Sequence, residues 1–90
     1  MDLGLKDRVA VVLAASSGIG RGIATVLAQE GCNLAICARD KSRLDLVAED
    51  IRSATGAKVF SEAADVADAA SLNDFFDQVF GHYGKVDILV

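Results

Sequence analysis

The chain has 90 residues, of which 52% are hydrophobic and 24% are charged, and its formal net charge is −4. This length allows one small domain or a part of a larger one, and the high apolar content suggests strands buried on both faces, as in parallel sheets. The sequence has no block of basic residues and no apolar run near the roughly 20 residues that span a bilayer. Neither a nucleic-acid partner nor a membrane partner is therefore expected.

The two cysteines, Cys32 and Cys37, are predicted to be reduced thiols of a cytoplasmic protein. If the segment between them is extended, their Cα atoms lie about 16 Å apart, which is beyond the reach of a disulfide. No second cysteine pair and no suitably spaced histidine accompany them, so no metal site is predicted. The N-terminus is too charged for a signal peptide.

The most informative segment joins an apolar run to a helical pattern. Residues 9–13 predict a buried strand, and a helix is predicted to begin at Gly18 or Ile19. The first N–H groups of a helix lack partners within the helix, and the helix dipole adds about half a positive charge there. Gly18 and Gly20 carry no Cβ, so a phosphate can approach the main chain. We predict that this turn holds the pyrophosphate of a dinucleotide.

The chain then alternates between strand and helix patterns. The first helix is predicted to run to about Glu30, with Gly31 as its C-cap. Four of its residues fall on one apolar stripe: Ile19, Ile23, Val26 and Leu27. Residues 34–38 predict a second strand, and Asp40 is the predicted N-cap of a second helix that stops at Gly56. The buried stripe of this second helix is predicted to comprise Leu44, Val47, Ala48 and Ile51.

Two further strands and one helix complete the pattern. Residues 58–63 and 86–90 predict the third and fourth strands, and the helix between them is predicted to end at Gly81 and Gly84. Its apolar stripe comprises Leu72, Phe75, Phe76, Val79 and Phe80. Because crossovers between parallel strands are nearly always right-handed, we expect a three-layer α/β/α fold of the Rossmann type. The predicted parallel sheet has the strand order 3-2-1-4 and forms part of an incomplete doubly wound domain.

The turn after the first strand departs from the general dinucleotide fingerprint G-x-G-x-x-G, because Ile23 stands at the third glycine. It resembles instead the turn of the short-chain dehydrogenase/reductase family, in which a glycine is followed by three residues and then Gly-Ile-Gly. Ala14 stands at the first glycine of that pattern and Leu13 at its usual threonine. The alanine is expected to constrain the turn and to weaken cofactor binding slightly. The resemblance implies a cofactor-binding role for Ala14, Ser16, Ser17, Gly18, Ile19 and Gly20.

Two later segments also resemble the family. Asp65 and Val66 follow the third strand, where family members place an aspartate that hydrogen-bonds the adenine amino group and a neighbouring backbone contact. The alternative for Asp65 is a carboxylate that serves only the turn or the next helix. Residues 85–90 resemble the segment that leads into the family's Asn-Asn-Ala-Gly motif. We expect residues 1–90 to be the cofactor-binding part of a longer protein, truncated before its catalytic half. The alternative is a complete small domain whose fourth strand pairs across a dimer.

The end of the second strand bears on the choice of cofactor. An acidic residue there would accept hydrogen bonds from the ribose hydroxyls of NAD, but the chain has Ala38 and Arg39. A guanidinium makes bidentate contacts with phosphate, so Arg39 predicts NADP(H) in preference to NAD(H). Arg43 either adds positive potential or is a solvated residue on the helix face. The competing hypothesis uses Asp40 as the ribose acceptor and is disfavoured because Asp40 is well placed as an N-cap.

The resemblance implies hydride transfer between nicotinamide and a small-molecule carbonyl or alcohol substrate, of the 3-oxoacyl or ketone reductase type, in a homo-oligomer that is a tetramer or a dimer. The family's catalytic tyrosine is followed four residues later by lysine, whereas Tyr83 is followed by Asp87. No catalytic residue is therefore predicted, and Tyr83 and His82 are expected to have a cap or surface role. Two alternatives are a stand-alone dinucleotide-binding module and a methyltransferase using S-adenosylmethionine. Ala38 and Arg39 disfavour the methyltransferase, because such enzymes have an acidic residue at the end of the second strand.

Overall fold

The computed structural model describes residues 4–16 and 18–90. Four strands form one sheet in the order β3-β2-β1-β4, and every pair of neighbours is parallel. The predicted α/β class and strand order are thus confirmed. The elements in chain order are β1 (Val9–Val12), α1 (Gly18–Gln29), β2 (Asn33–Ala38), α2 (Lys41–Thr55), β3 (Val59–Ala63), α3 (Ala69–Tyr83) and β4 (Ile88–Leu89).

Helices cover both faces of this sheet. Successive side chains of a strand point to opposite faces, so β1 contributes to two cores. Val12 packs on one face with residues of α1 and α2, including Leu44. Val11 packs on the other face with Phe75 and Val79 of α3. The three-layer arrangement explains why all of β1 is buried and apolar, as the sequence predicted.

Helix α1 packs on the sheet through a face that the apolar stripe did not predict. Its buried residues are small: Gly20, Ala24 and Ala28. The stripe residues Ile19 and Val26 are 80% and 56% exposed. Small side chains let the helix axis approach the strands closely, which leaves Ile19 and Val26 on its outer flank. Of the four stripe residues, Leu27 is partly buried and packs against the core, whereas Ile19 and Val26 do not.

Helices α2 and α3 begin and end at specific capping residues. Asp40 and Asp68 are their N-caps: the Asp40 side chain accepts one N–H of the first turn, and the Asp68 side chain accepts two. Gly56 and Gly84 are their C-caps in the left-handed conformation that glycine adopts readily. Gly81 lies inside α3, so the prediction that it helps to end the helix is wrong. The four residues of the predicted α2 stripe are all buried, which confirms that prediction.

The central strand β1 is flanked by hydrogen bonds that extend beyond the assigned strands. Asp87 N–H donates to the Val9 carbonyl and Val90 N–H to the Val11 carbonyl, both at 2.9 Å. The Leu13 N–H in turn donates to the Val90 carbonyl at 3.0 Å. Strand β4 itself is only two residues long, shorter than the predicted residues 86–90. Within the described ranges, no helix is long and apolar enough to cross a bilayer.

Candidate functional site

A cleft opens at the carboxyl ends of β1, β2 and β3. It is lined by Ala14, Ser16, Ala38, Arg39, Asp40, Arg43, Ala64 and Val66. In open parallel sheets, ligands bind outside the carboxyl ends of the strands, next to the point where the strand order reverses. Here the order reverses at β1, since β2 and β4 flank it on opposite sides. The cleft therefore lies where the fold predicts a ligand.

Backbone hydrogen bonds hold the floor of the cleft together. Ala15 N–H donates to the Cys37 carbonyl, and Ala64 N–H donates to the Ala38 carbonyl, each at 3.0 Å. Ala38 and Ala64 are both 5% exposed. The floor between the strand ends is thus formed by two methyl groups and is apolar.

Ala14 begins the turn that follows β1. Its φ is +56°, in the left-handed region that L-residues with a Cβ occupy at a cost of about 1–2 kcal/mol. This is the position at which the turn resembles a family pattern with glycine. The structure gives the physical reason for that glycine, since the chain turns here through a conformation that favours the absence of a Cβ.

The two glycines of the turn face different surroundings. A Cβ on Gly20 would lie 2.6 Å from the Ala14 carbonyl oxygen and 3.1 Å from the Ala15 Cα, so Gly20 lets α1 pack against the turn. Among the described residues, and apart from its chain neighbours and the backbone of its own helix turn, a Cβ on Gly18 would meet no atom within 4 Å. Gly18 also lacks a left-handed φ. The glycines with a positive φ are Gly4, Gly31, Gly56 and Gly84. The fold therefore requires glycine at position 20 and does not require it at position 18.

The other predicted turn residues divide between two surfaces. Ser16 is half-buried and lines the cleft. The Ile19 side chain instead lies on the outer flank of α1, beside Gly22, Ile23 and Val26. Ser17 lies outside the described residues.

The arginines at the cleft differ from the lysine beside them. Lys41 lies 2.8 Å from the Asp45 carboxylate and also donates to the Ser61 carbonyl. In the described part of the chain, none of the ion pairs includes Arg39 or Arg43. Within residues 4–16 and 18–90, the two guanidinium groups that line this cleft thus form no ion pair.

The carboxylate between these arginines is engaged by the backbone. Asp40 Oδ1 accepts the Arg43 N–H at 3.1 Å, which confirms the predicted N-cap of α2. A capping oxygen is directed toward the helix axis. This use of Asp40 is the one that the sequence favoured over a role as ribose acceptor.

Asp65 lies in a neighbouring groove that it shares with Arg39 and Ser71. Its Oδ1 accepts the Ala67 N–H at 3.0 Å, and its own N–H donates to Ser71 Oγ at 2.9 Å. The turn-forming role that the sequence offered as an alternative is therefore present. Val66 is 42% exposed and lines the main cleft.

Tyr83 and His82 lie at the opposite end of the sheet. The Tyr83 hydroxyl donates to the carbonyl of Leu34, near the start of β2, at 2.7 Å, and burial raises the pKa of Tyr83. The His82 ring packs 4.8 Å from the ring of Phe60 and 4.5 Å from that of Tyr83, measured between centroids. Both residues thus serve packing at the end of α3, in line with the predicted cap role.

Both cysteines are free and buried. Burial is the main reason that the pKa of each thiol is raised, so neither is a reactive thiolate. Cys37 lies at the end of β2, and its carbonyl accepts the hydrogen bond from Ala15 described above.

Sequence reasoning missed part of the cleft. Ala38 and Ala64 form its floor, and the only signal for them is a small residue near the carboxyl end of each of two neighbouring strands. Helical periodicity alone does not show which side of the first turn of α2 meets the cleft, so it does not decide between the two roles of Arg43. The structure brings Ala14, Ser16, Arg39 and Val66 together there.

A strand–turn–helix unit with a ligand cleft at the carboxyl edge of a parallel sheet defines the nucleotide-binding class of α/β folds. The model of the family described as short chain dehydrogenase matches residues 8–90. The chain belongs to this short-chain dehydrogenase family.

Individual relatives support the assignment to this family. An uncharacterized oxidoreductase of Staphylococcus epidermidis is 41% identical over 86 residues, which are 96% of this chain and 36% of that protein. The crystal structure of L-sorbose reductase from Gluconobacter frateurii, complexed with NADPH and L-sorbose, is 36% identical with a TM-score of 0.95. That match covers 99% of this chain and 34% of the reductase chain. A short-chain dehydrogenase/reductase from Burkholderia phymatum in complex with NAD matches 94% of this chain and 30% of its own, with 32% identity and a TM-score of 0.89. The chain thus spans about a third of the length of these relatives.

Proposed function

We propose that the chain is the NADP(H)-binding part of a short-chain oxidoreductase. When bound, the cofactor supplies hydride transfer between its nicotinamide and a carbonyl or alcohol group of a small substrate. Family membership supports the class of reaction, and the cleft at the carboxyl ends of the strands supports the position of the nucleotide. The substrate class proposed is a 3-oxoacyl compound or a ketone.

The main support for a nucleotide at the turn is Gly18. Neither its φ nor its neighbours require glycine, and the space where its Cβ would lie is open. This space adjoins the N-terminus of α1, where unpaired N–H groups and the helix dipole favour an anion. The segment from residue 13 to residue 21 contains no acidic side chain that would repel one. A pyrophosphate at this position explains a glycine that the fold does not.

The rest of the cleft fits the adenosine half of the nucleotide. The methyl groups of Ala38 and Ala64 offer an apolar floor for a planar ring, and Val66 forms part of the wall. Asp65 lies in the adjoining groove, in keeping with the proposed contact to the adenine amino group. This contact shares the carboxylate with the Ala67 N–H.

Preference for NADP(H) rests on the charges at the end of β2. Arg39 is exposed, lines the cleft and has no ion pair within the described ranges. Asp40, the acidic residue beside it, accepts the Arg43 N–H as the cap of α2. A guanidinium is thus available for the 2′-phosphate of NADP(H), whereas the Asp40 carboxylate, which would favour the free ribose of NAD(H), already accepts one hydrogen bond as the cap of α2.

The surroundings proposed for the whole protein follow from the family resemblance and the cysteines. We propose a homo-oligomer, dimeric or tetrameric, in the cytoplasm. Two buried, unpaired thiols suit a reducing compartment.

Two glycines of α1 provide a matched test. Gly18→Val is expected to leave the fold intact and to abolish binding of both NADPH and NADH, measured by calorimetry, because the side chain fills the phosphate position. Gly22→Val is the control, since a Cβ there also meets no atom within 4 Å. It is expected to retain binding. Unchanged affinity in the Gly18 variant would place the nucleotide elsewhere.

A charge reversal tests the cofactor preference separately. Arg39→Asp is expected to weaken NADPH binding by about 10- to 100-fold, as for loss of a hydrogen bond between charged groups, and to affect NADH far less. Equal losses for the two cofactors would contradict the preference while leaving the nucleotide site in place.

A further inference from the structure

Strand β3 ends the sheet on the side away from β1. In the described part of the chain its one neighbour is β2, so its other side is an edge of the sheet. The backbone N–H and C=O groups of an edge strand can pair with a strand of another molecule. A second copy of this chain presents the same edge, and two identical edges can pair antiparallel about a two-fold axis.

The hydrogen bonds between β2 and β3 show which backbone groups point outward. The Lys58 carbonyl accepts the Leu34 N–H at 2.8 Å, and the Ala64 N–H donates to the Ala38 carbonyl at 3.0 Å, so both groups point toward β2. The N–H and C=O of one strand residue point to the same side, and successive residues alternate between the two sides. The backbone groups that point away from β2, here called the outer edge of β3, are therefore those of Val59, Ser61 and Ala63.

Two cations of α2 occupy carbonyls of this outer edge. Arg52 Nη2 donates to the Val59 carbonyl at 2.6 Å, and Lys41 Nζ donates to the Ser61 carbonyl at 3.3 Å. Lys41 is the first residue of α2 and Arg52 lies in its last turn, so the two contacts come from opposite ends of the helix. The N–H groups of an added strand would have to reach these same two carbonyls. The cations therefore lie where such a strand would bind.

Neighbouring carboxylates support this arrangement. Asp45 accepts from Lys41 Nζ at 2.8 Å and from the Ser61 hydroxyl at 3.1 Å, which holds Lys41 over the middle of β3. Glu62 Oε1 accepts the Ala63 N–H at 3.2 Å, so a third group of the outer edge has a side-chain partner. Charged side chains along an edge strand oppose its pairing, because pairing would force them aside or remove their water.

We propose that Lys41, Arg52 and Glu62 close the outer edge of β3 and keep it from pairing with the same edge of a second copy of this chain. A hydrogen bond from a charged donor is stronger than one between neutral groups. An added strand would have to displace two such bonds and would replace them with neutral backbone bonds. The pairing is therefore unfavourable while both cations are in place. This role does not depend on a nucleotide at the cleft.

The experiment removes the two cations and measures self-association of the full-length protein by sedimentation equilibrium. The double variant Lys41→Ala/Arg52→Ala and its two single variants are compared with the wild type, since alanine preserves the helix. Arg21→Ala is the matched control, because Arg21 is also an exposed, ion-paired cation on a helix, but its partner is Asp50 of α2 and not β3. Circular dichroism checks that each variant is folded.

The double variant is expected to associate beyond the wild-type oligomer, with an association constant raised by about tenfold or more. Each single variant is expected to show a smaller rise, and Arg21→Ala none. Hydrogen exchange locates the contact, since the outward N–H groups of Val59 and Ser61 should exchange more slowly in the associated double variant than in the wild type. Adding Ser61→Pro should abolish the association, because proline removes an outward N–H and leaves the bonds to β2 in place.

Other results would overturn the proposal. An unchanged mass in the double variant would show that these cations do not keep the edges apart. Association without slower exchange at Val59 and Ser61, or association that survives Ser61→Pro, would place the contact elsewhere. An equal rise in Arg21→Ala would reduce the effect to a general loss of charge. If the double variant is unfolded, the single variants decide by the same measurements.

Discussion

The two ends of the sheet differ in whether their charged side chains have partners within the protein. At the amino end, the Asp87 carboxylate accepts the Val9 N–H at 2.8 Å and lies near Lys85 and Arg8. At the carboxyl end, Arg39 and Arg43 line a cleft without an ion pair among the described residues. Polar groups matched within the protein stabilise the fold, whereas groups left unmatched at a cleft are available to a ligand. Variants at the amino end should therefore alter stability, and variants at the carboxyl end should alter binding.

Gly20 is expected to give the largest exception to this division. It lies at the carboxyl end, yet Gly20→Ala should lower the free energy of unfolding by about 2–3 kcal/mol, because the new methyl group overlaps backbone atoms. Gly22→Ala is the control on the same helix and should raise stability by about 0.5–1 kcal/mol. Urea denaturation measures both. Similar stability in the two variants would contradict the close packing between α1 and the Ala14 turn.

Tyr83 tests the amino end directly. Tyr83→Phe removes the donor of the 2.7 Å hydrogen bond to the Leu34 carbonyl and should cost about 1 kcal/mol of unfolding free energy. The ratio of NADPH to NADH affinity should not change, since the hydroxyl is at the far end of the sheet. A change in that ratio would show that the two ends are coupled. Spectroscopic titration of the wild-type tyrosine should give a pKa above its ordinary value of 10.0, because of burial.

Asp87 gives the amino end a pH dependence. The Val9 N–H and the Lys85 ammonium hold the pKa of this carboxyl below its ordinary value of 3.8. A pKa that is lower in the folded than in the unfolded state stabilises the fold above the unfolded value, and this contribution is lost as the pH falls through the folded value.

The variant Asp87→Asn should therefore lose stability at neutral pH and show a smaller further loss between about pH 4 and pH 2 than the wild type. Thermal denaturation across that range is the measurement. Asp74→Asn, which changes an exposed carboxylate on α3, is the control and should follow the wild-type curve. Parallel curves for wild type and Asp87→Asn would refute the stabilising role of Asp87.

Ala14 should give the smallest effect, in the opposite direction. Ala14→Gly relieves the strain of a φ of +56°, and the gain is partly offset by the entropy that glycine loses on folding, so we expect about 0.5–1 kcal/mol of added stability. Ala15→Gly is the control and should destabilise, since Ala15 is fully buried. Nucleotide affinity should stay equal or increase slightly in Ala14→Gly. A loss of stability in this variant would contradict the left-handed turn.

Local patterns predicted the fold well because local chemistry determines most of it. The caps at Asp40 and Gly56 are set by neighbouring residues, and the strand order follows from the handedness of parallel crossovers. The apolar stripe of α1 was a poor guide to its buried face, because periodicity identifies the most apolar face of a helix. Close packing on the sheet instead selected its smallest face, with Gly20, Ala24 and Ala28. Gly81 misled similarly, since glycine can lie within a helix whose tertiary contacts hold it.

The positions of candidate site residues could be predicted where the chain itself brings those residues together. The turn and the end of β2 each contribute consecutive residues, so Ala14, Ser16 and Arg39 could be predicted to lie at one edge. The different demands on Gly18 and Gly20 could not be predicted, because they depend on which side of each glycine faces the turn. The side on which Arg43 lies depends likewise on how α2 is rotated against β2.

The pairing of β1 with β4 also affects how the protein is made. Ala10 pairs with Ile88, so the second neighbour of the central strand is synthesised nearly 80 residues after the strand itself. At about 5–20 residues per second, a ribosome takes roughly 4 to 16 s to cover that distance. During this interval one edge of β1 lacks its parallel neighbour, and Leu13, at the start of the turn, lacks the Val90 carbonyl. The phosphate-binding turn is encoded early, but translation completes its support only when Val90 is added.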